Sequence, residues 1–347
     1  MNNQLELSFQ ELLEKAQENY NNIFTKTTFF ERAIFFSWGC TIGDCTFCYM
    51  STQPSDKKPT ETKRSFASLF AEAILCKKLG WEIGFFTGGI GVFTPDEMEF
   101  MLKIINHILG EKIWLSIGPV AKPLLERFKP YIKGVVGSTE TINPELHKKV
   151  CPSKPLQPYE KMFLTAKELD LERAMTFIVG MGETHADLEL LKNFIEKYGI
   201  TKVHVYGLIP ITGTMFEGKE PPTPEEQAWW IAQLRITFPR LDIQCGIWKD
   251  RSERIPLLLH AGANSLSKFP ATKEFGSSYA HAIENACATA GRTFIGTLTK
   301  LPDCDWKAEI ERLDLSPELK KEMFIKLNNY LVKMKRGGEH KCLVQIQ

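Results

Sequence analysis

Residues 31–50 read ERAIFFSWGCTIGDCTFCYM, a short apolar run through Ala33 to Phe36 that turns at Ser37-Trp38-Gly39 into a stretch holding Cys40, Cys45 and Cys48. An apolar run of this length closed by glycine reads as a buried strand, and the stretch after it as a loop that gathers three thiols. Outward from this unit the pattern recurs. Similar runs stand at EIGFFTGG near 82, KIWLSIG near 112, KGVVGST near 133, RAMTFIVG near 173, KVHVYGL near 202, LDIQCG near 241 and GANSLSK near 262. Helical stretches lie between them. In Thr94-Pro95-Asp96-Glu97 and Thr223-Pro224-Glu225-Glu226 a Thr caps, a Pro takes the first helical position and a Glu closes the capping box.

Eight strands alternating with helices over about 240 residues predict an α/β fold, a parallel (β/α) TIM-type barrel. A doubly wound open sheet is the alternative. In a barrel the loops after the strands share one face, and here they carry Gly39-Cys40, Gly88-Gly89, Gly118-Pro119, Glu140-Thr141, Gly180 to Glu183, Pro210 to Thr214, Gly246 to Lys249, and Lys268. Glycines, polar groups and the first cysteine thus fall on one side. Residues 1–30 form a helical lead-in: Leu5, Phe9, Leu12, Leu13, Ala16 and Tyr20 mark an amphipathic helix over 5–23, with Ser8 and Glu11 as its capping box. The barrel spans 31–291, and 292–347 is a C-terminal extension. There residues 305–336 read as two helices, the second started by Ser316-Pro317 and ended by Lys333, Lys335, Arg336 and Gly337-Gly338.

The chain of 347 residues is 43% hydrophobic and 24% charged, which supplies a sizeable core and excludes disorder over most of its length. With 43 Lys and Arg against 42 Asp and Glu, no bulk field draws it to nucleic acid or an anionic membrane. No apolar run reaches the roughly 18 residues of a spanning helix. The start MNNQLELSFQELLEKAQ lacks the basic and apolar regions of an export signal, which predicts a cytoplasmic protein. Nine cysteines in a reducing compartment point to metal or catalysis rather than disulfides.

The spacing Cys40-x4-Cys45-x2-Cys48 is the strongest signal in the chain. A structural zinc site wants a fourth ligand at comparable spacing, and the nearest further cysteine is Cys76. Three thiolates instead suit a [4Fe-4S] cluster held by three irons, with the fourth iron open to a ligand. A zinc site completed by a distant residue, in a barrel hydrolase or a structural module, stays as the alternative.

The triad resembles the cluster motif of the radical S-adenosylmethionine enzymes, which places an aromatic residue just before the last cysteine, here Phe47. Most of that superfamily has three residues between the first two cysteines; this chain has four, Thr41 to Asp44, as some members do. Thr87-Gly88-Gly89-Ile90 resembles the family's Gly-Gly-Glu motif, whose backbone takes the amino group of S-adenosylmethionine, with Ile90 in place of the Glu. Val179 to Thr184 resembles the glycine-rich stretch against the adenine, which implies Gly180 and Gly182 as contacts; a plain strand-to-helix turn started by Glu183 is the other reading.

A finer resemblance through most of 31–270 is to the biotin synthase-like branch, which includes biotin synthase, hydrogenase-cofactor maturases, methylornithine synthase and the archaeal-type two-protein lipoyl synthase. It rests on Ser138-Thr139-Glu140-Thr141 leading to His147, on Ile209 to Thr214 and on Ala261 to Ser265. The resemblance implies that Glu140 lies near S-adenosylmethionine, and that Lys161 or Arg173 stands in for the relatives' carboxylate-binding arginine. Biotin synthase holds a second cluster with cysteines on inner strands and an arginine after strand seven. Here FFTGG, IWLSIG, AMTFIVG and CGIWKDR supply no such thiolates and Ile247 takes the arginine's place, which disfavours ordinary biotin synthesis. Cys151, Cys245, Cys304 and Cys342 are free to ligate an auxiliary cluster, Cys151 foremost because its loop should open on the ligand face; cysteine is also commonly just buried, the reading for Cys76 and Cys287.

What the resemblance implies is reductive cleavage of S-adenosylmethionine to a 5'-deoxyadenosyl radical that abstracts an unactivated hydrogen, in a barrel lined by Phe35, Phe36, Phe85, Phe86 and Trp114. Likeness and spare cysteines favour sulfur insertion into an octanoyl chain on a lipoyl-carrier protein, with a second radical enzyme as partner and ferredoxin or flavodoxin as electron donor. Cofactor maturation, methylation or a mutase reaction is the alternative. Lys268 and Asn264 face the mouth, where they can orient a carbonyl or carboxylate; His147 and His204 read as structural, Trp229-Trp230 as packing and Met50 as a shield for the iron.

Overall fold

Each apolar run of the barrel region forms a strand, and each stretch between two runs supplies a helix. The structure, a computed structural model, describes residues 7–53 and 58–339. Helix α1 (Phe9–Asn21) and strand β1 (Thr27–Phe29) precede the barrel, which starts with β2 (Glu31–Phe35), α2 (Phe66–Leu79), β3 (Glu82–Thr87), α3 (Pro95–Leu109) and β4 (Ile113–Ser116). It continues with α4 (Lys122–Phe128), β5 (Ile132–Glu140), α5 (Pro144–Val150), α6 (Gln157–Glu168), β6 (Glu172–Val179), α7 (Leu188–Tyr198) and β7 (Lys202–Gly207). Then come α8 (Pro224–Thr237), β8 (Asp242–Gly246), α9 (Ile255–His260) and β9 (Ser265–Ser267). The chain ends on α10 (Ser278–Thr289), β10 (Thr293–Ile295), α11 (Trp306–Glu311) and α12 (Pro317–Glu339).

Strands β2 to β9 are parallel neighbours in chain order, an eight-stranded α/β barrel that is nearly closed. The open-sheet alternative is thereby set aside. The capping boxes at Ser8, Thr94 and Thr223 all form. Alternation along the strands sorts side chains between two cores. Phe85, Trp114, Val136, Ala174, Ile178 and Tyr206 pack together inside the barrel. Phe36 and Phe86, expected to line it, belong to the larger core between strands and helices, because Phe86 follows Phe85 on a pleated strand.

Between β9 and β2 the ladder is reduced to one bridge, Phe30 to Leu266. Side chains at the barrel floor join the two edges: Glu31 accepts from Lys202 Nζ at 2.6 Å, Gln244 Nε2 at 2.8 Å and Ser265 Oγ at 2.5 Å. Strands β1 and β10 form a separate two-stranded parallel sheet that ties the lead-in to the extension. The lead-in helix keeps its expected core face at Leu12, Leu13, Ala16 and Tyr20, while Leu5 lies outside the described residues. Helix α12 runs through Gly337 and Gly338 to Glu339, past the expected stop.

Candidate functional site

The loop after β2 is held from several sides. Thr41 gives its backbone N–H and its hydroxyl to Ile90 O, at 3.2 and 2.8 Å, and Thr46 gives its N–H to Val150 O at 2.9 Å. Within the loop Cys48 N–H reaches Cys45 O at 2.9 Å and Met50 N–H reaches Cys48 Sγ at 3.4 Å, so that thiol already accepts from the backbone. Gly89 lets the loop after β3 pass directly under it, since a Cβ there would collide with the backbone of Gly39 and Cys40. Cys40, Cys45 and Cys48, none in a disulfide, line one cavity of about 220 Å³ together with Gly88, Gly89 and Glu140.

That donor set fits an iron-sulfur cluster: three half-buried thiols face one space whose opposite wall is glycine backbone. A single zinc ion needs all its ligands about 2.0–2.3 Å from one point. Among the described residues no three His, Cys, Asp or Glu side chains converge in that way. Burial pushes the Cys48 thiol up, whereas a hydrogen bond from Cys151 holds Cys45 below the usual thiol value.

On the far wall Glu140 ends β5 in the left-handed region, at φ 62°, a strained conformation for a residue with a Cβ. Its carboxylate accepts from Lys154 Nζ at 3.2 Å and from Thr176 Oγ1 at 3.0 Å. Burial opposes the Lys154 charge, but Glu140 together with Cys151, Tyr159 and Cys45 outweighs it and holds the ammonium well above its usual value. Lys154 lines the cavity. Neither residue expected in this role does so. Lys161 is exposed on α6, and Arg173 spends its guanidinium on Gly199 O at 2.8 Å and Leu171 O at 2.6 Å, at the start of β6, away from the strand end that opens on the cavity.

The glycine-rich turn after β6 also departs from expectation. The N–H groups of Gly180, Met181 and Gly182 all donate to the Glu183 carboxylate, at 2.5, 2.9 and 3.2 Å, and neither glycine lines the thiol cavity or the larger one beside it. This is the plain turn, organised by its own acid. Gly88, Gly89 and Glu140 line the thiol cavity, and Gly180 and Gly182 do not.

Beside the thiols opens a larger cavity of about 900 Å³, walled by Phe35, Phe47, Phe85, Ile178, Leu208 and Phe269. Met50, Cys48 and Lys268 border both spaces. Asn264, expected at this mouth, instead accepts from Arg235 at 2.5 Å and from Ile243 N–H at 2.9 Å, a structural role. Burial lowers His204 to about 3 and His147 to about 4, so both are neutral. Trp229 stacks on His185 and Trp230 packs on Phe177, centroids 3.6 and 4.8 Å apart, as packing predicts.

The cysteines expected for an auxiliary cluster are not brought together. Cys151 is buried against Cys45; Cys245 lies in the outer core with its thiol 3.5 Å from Ser265 O; Cys304 sits on the segment before α11. Cys342 lies outside the described residues. Among those residues no helix is long and apolar enough to cross a membrane.

Residues 34–195 match the model of the Radical SAM superfamily. Over 328 residues the chain is 34% identical to uncharacterized protein MJ0597 of Methanocaldococcus jannaschii, covering 93% of this chain and 90% of that one. It is 28% identical over 179 residues to a biotin synthase of Methanococcus maripaludis, 51% of this chain and 54% of the enzyme. The X-ray structure of the FeFe-hydrogenase maturase HydG from Carboxydothermus hydrogenoformans superposes with a TM-score of 0.68 at 17% identity, over 97% of this chain and 86% of the maturase. A cysteine triad on the first barrel loop, facing glycine backbone at the strand ends, accords with these matches: the chain belongs to the Radical SAM superfamily, whose members use S-adenosylmethionine and a [4Fe-4S] cluster.

Proposed function

We propose that this protein generates a 5'-deoxyadenosyl radical at the cavity beside Cys40, Cys45 and Cys48 and directs it at an unactivated C–H bond of a substrate in the adjoining apolar cavity. When bound, the cluster supplies the electron that splits S-adenosylmethionine into methionine and the radical. The chain's own residues hold and seal. The three thiolates ligate, the backbone at Gly88 and Gly89 takes the amino group, and Lys154, steadied by Glu140, takes the carboxylate. Phe35, Phe47 and Phe85 keep water from the space where a radical would be quenched. The observation that carries this reading is the junction of the thiol-lined cavity with the apolar one, with Cys48, Phe47 and Phe85 shared between them.

Within this chemistry the favoured substrate is an octanoyl chain on a lipoyl-carrier protein, which would gain sulfur, the protein acting as one component of a two-protein lipoyl synthase fed by ferredoxin or flavodoxin. The sulfur then comes from a source other than Cys151, Cys245 and Cys304, which stand apart. A second reading, cofactor maturation or rearrangement of a small acid, is favoured by the cationic Lys268 in the cavity wall.

Anaerobic purification tests the chemistry. A brown protein with about four irons per chain, and deoxyadenosine formed from S-adenosylmethionine and dithionite but not by Cys45→Ala, is expected. A colourless zinc protein, or equal product from the variant, would reject it. For the octanoyl substrate, a carrier peptide that gains no mass of sulfur with the partner enzyme present counts against that reading alone.

A further inference from the structure

Most charges around the large cavity are already answered. Arg32 and Arg64 each meet Glu72 at 2.7 Å, Lys249 lies 3.5 Å from Glu274, and Glu31 is taken by Lys202 at the floor. Arg251 gives Nη1 to Leu208 O at 3.4 Å, and Asp250 also borders the space, but among the lysines and arginines of the lining Lys268 stands apart. Among the described residues its Nζ has no hydrogen bond and no carboxylate within ion-pair distance; it rests over the Tyr206 ring at 4.3 Å and near the Trp248 ring at 5.9 Å. Burial accordingly lowers it, with only the Glu140 and Cys48 charges pulling the other way. Its backbone is also out of the ordinary, at φ 67°, just past the end of β9. A non-glycine residue is strained in such a conformation, yet the chain holds the amine here, at the border of the thiol-lined and apolar cavities.

An ammonium half out of water without a counter-charge is costly, and an anion entering beside it recovers that cost in a charge-assisted hydrogen bond. A neutral amide recovers less. Phe35, Phe85 and Leu208 in the same lining suit an aliphatic or aromatic body. We propose that Lys268 determines specificity by taking the carboxylate of the substrate, so that the protein acts on a free acid with an apolar body; this develops the second reading above, the small acid, and stands in place of the octanoyl chain. This rests on the radical reading above but not on the octanoyl one, and it places the attacked carbon toward the acid end, where Lys268 borders the cofactor's cavity.

Sodium octanoate, octanamide and octylamine, equal in chain length, serve as probes. They are titrated into the anaerobic cluster-loaded protein with saturating S-adenosylmethionine, read by tryptophan fluorescence from Trp38 and Trp248 in the cavity wall. The wild type should bind octanoate about ten-fold more tightly than octanamide, the equivalent of about 1.4 kcal/mol, and octylamine most weakly. In Lys268→Met the preference should vanish; Lys268→Gln serves where the first variant unfolds. Equal binding of octanoate and octanamide by the wild type, or a preference that survives in both variants, overturns the proposal. So does a matching loss of S-adenosylmethionine affinity in Lys268→Met, since the amine would then serve the cofactor. If the octanoate preference holds while the wild type forms no deoxyadenosine, the anchor stands and the radical reading falls.

Discussion

Lys154 shows what a single residue contributes and why the sequence hid it. In Val150-Cys151-Pro152-Ser153-Lys154-Pro155 it looks like one more loop lysine. Its partner is fourteen positions away, and only the fold brings Nζ to Glu140 Oε1, 3.2 Å apart in a buried setting. The triad is legible because its three cysteines are neighbours in the chain, whereas nothing local to Lys161 or Arg173 tells which way a helix face or strand end points. Replacing Lys154 by Met should weaken S-adenosylmethionine binding by about ten-fold or more, the usual cost of losing a charged hydrogen bond, at unchanged iron content. Equilibrium dialysis against labelled cofactor measures it, and Lys154→Arg should recover part. The same lysine lowers His147, second to burial, to about 4. With His204 at about 3, neither histidine titrates near neutrality. Deoxyadenosine formation should therefore show no histidine inflection between about pH 6 and 8, and a step there that disappears in His147→Gln would contradict this assignment.

At the scale of elements, the eight barrel strands and their capped helices were readable because each is specified by local periodicity and end signals. Strands β1 and β10 were not, being three residues each and paired across the whole barrel, Thr27 with Thr293. Loops fall between these cases. Gly88-Gly89 and Gly180 to Gly182 look alike as glycine-rich strand ends, but the first has its backbone against the cysteine loop and the second turns inward on Glu183. Substitution separates them. Gly89→Ala would drive a Cβ into the backbone of Gly39 and Cys40, where nothing flexible can give, and should yield a folded barrel that retains little iron. Glu183→Gln removes a half-buried charge from three N–H donors and should cost stability while iron loading stays normal, as measured by melting and iron analysis. If both variants lose iron equally, the two turns do not divide the work in this way.

For the whole molecule the question is how an eight-stranded sheet closes with a single backbone bridge at its seam. No local pattern announces Glu31, Lys202, Gln244 and Ser265 as partners, since they come from four strands as much as 234 positions apart. Glu31 is fully enclosed, while Asp242, which accepts from the same lysine at 2.8 Å, keeps 36% of its side chain exposed. Solvent screens the second pair and not the first. Removing the Glu31 charge in Glu31→Gln should therefore destabilise the barrel by about 3–5 kcal/mol, the range for breaking a buried pair. Asp242→Asn should cost clearly less, and chemical denaturation ranks the two. The pH dependence has a definite sign. Partial burial works to raise Asp242, but the Lys202 charge and hydrogen bond prevail and hold it below its ordinary value of 3.8, so its contribution is complete above that pH and lost as acid protonates the folded state. Wild-type stability should thus hold down to about pH 4 on this account and fall below it, and Asp242→Asn should flatten that limb. If Glu31→Gln and Asp242→Asn prove equal, closure is carried by the apolar packing of Phe30 and Leu266 and the floor charges are incidental to it.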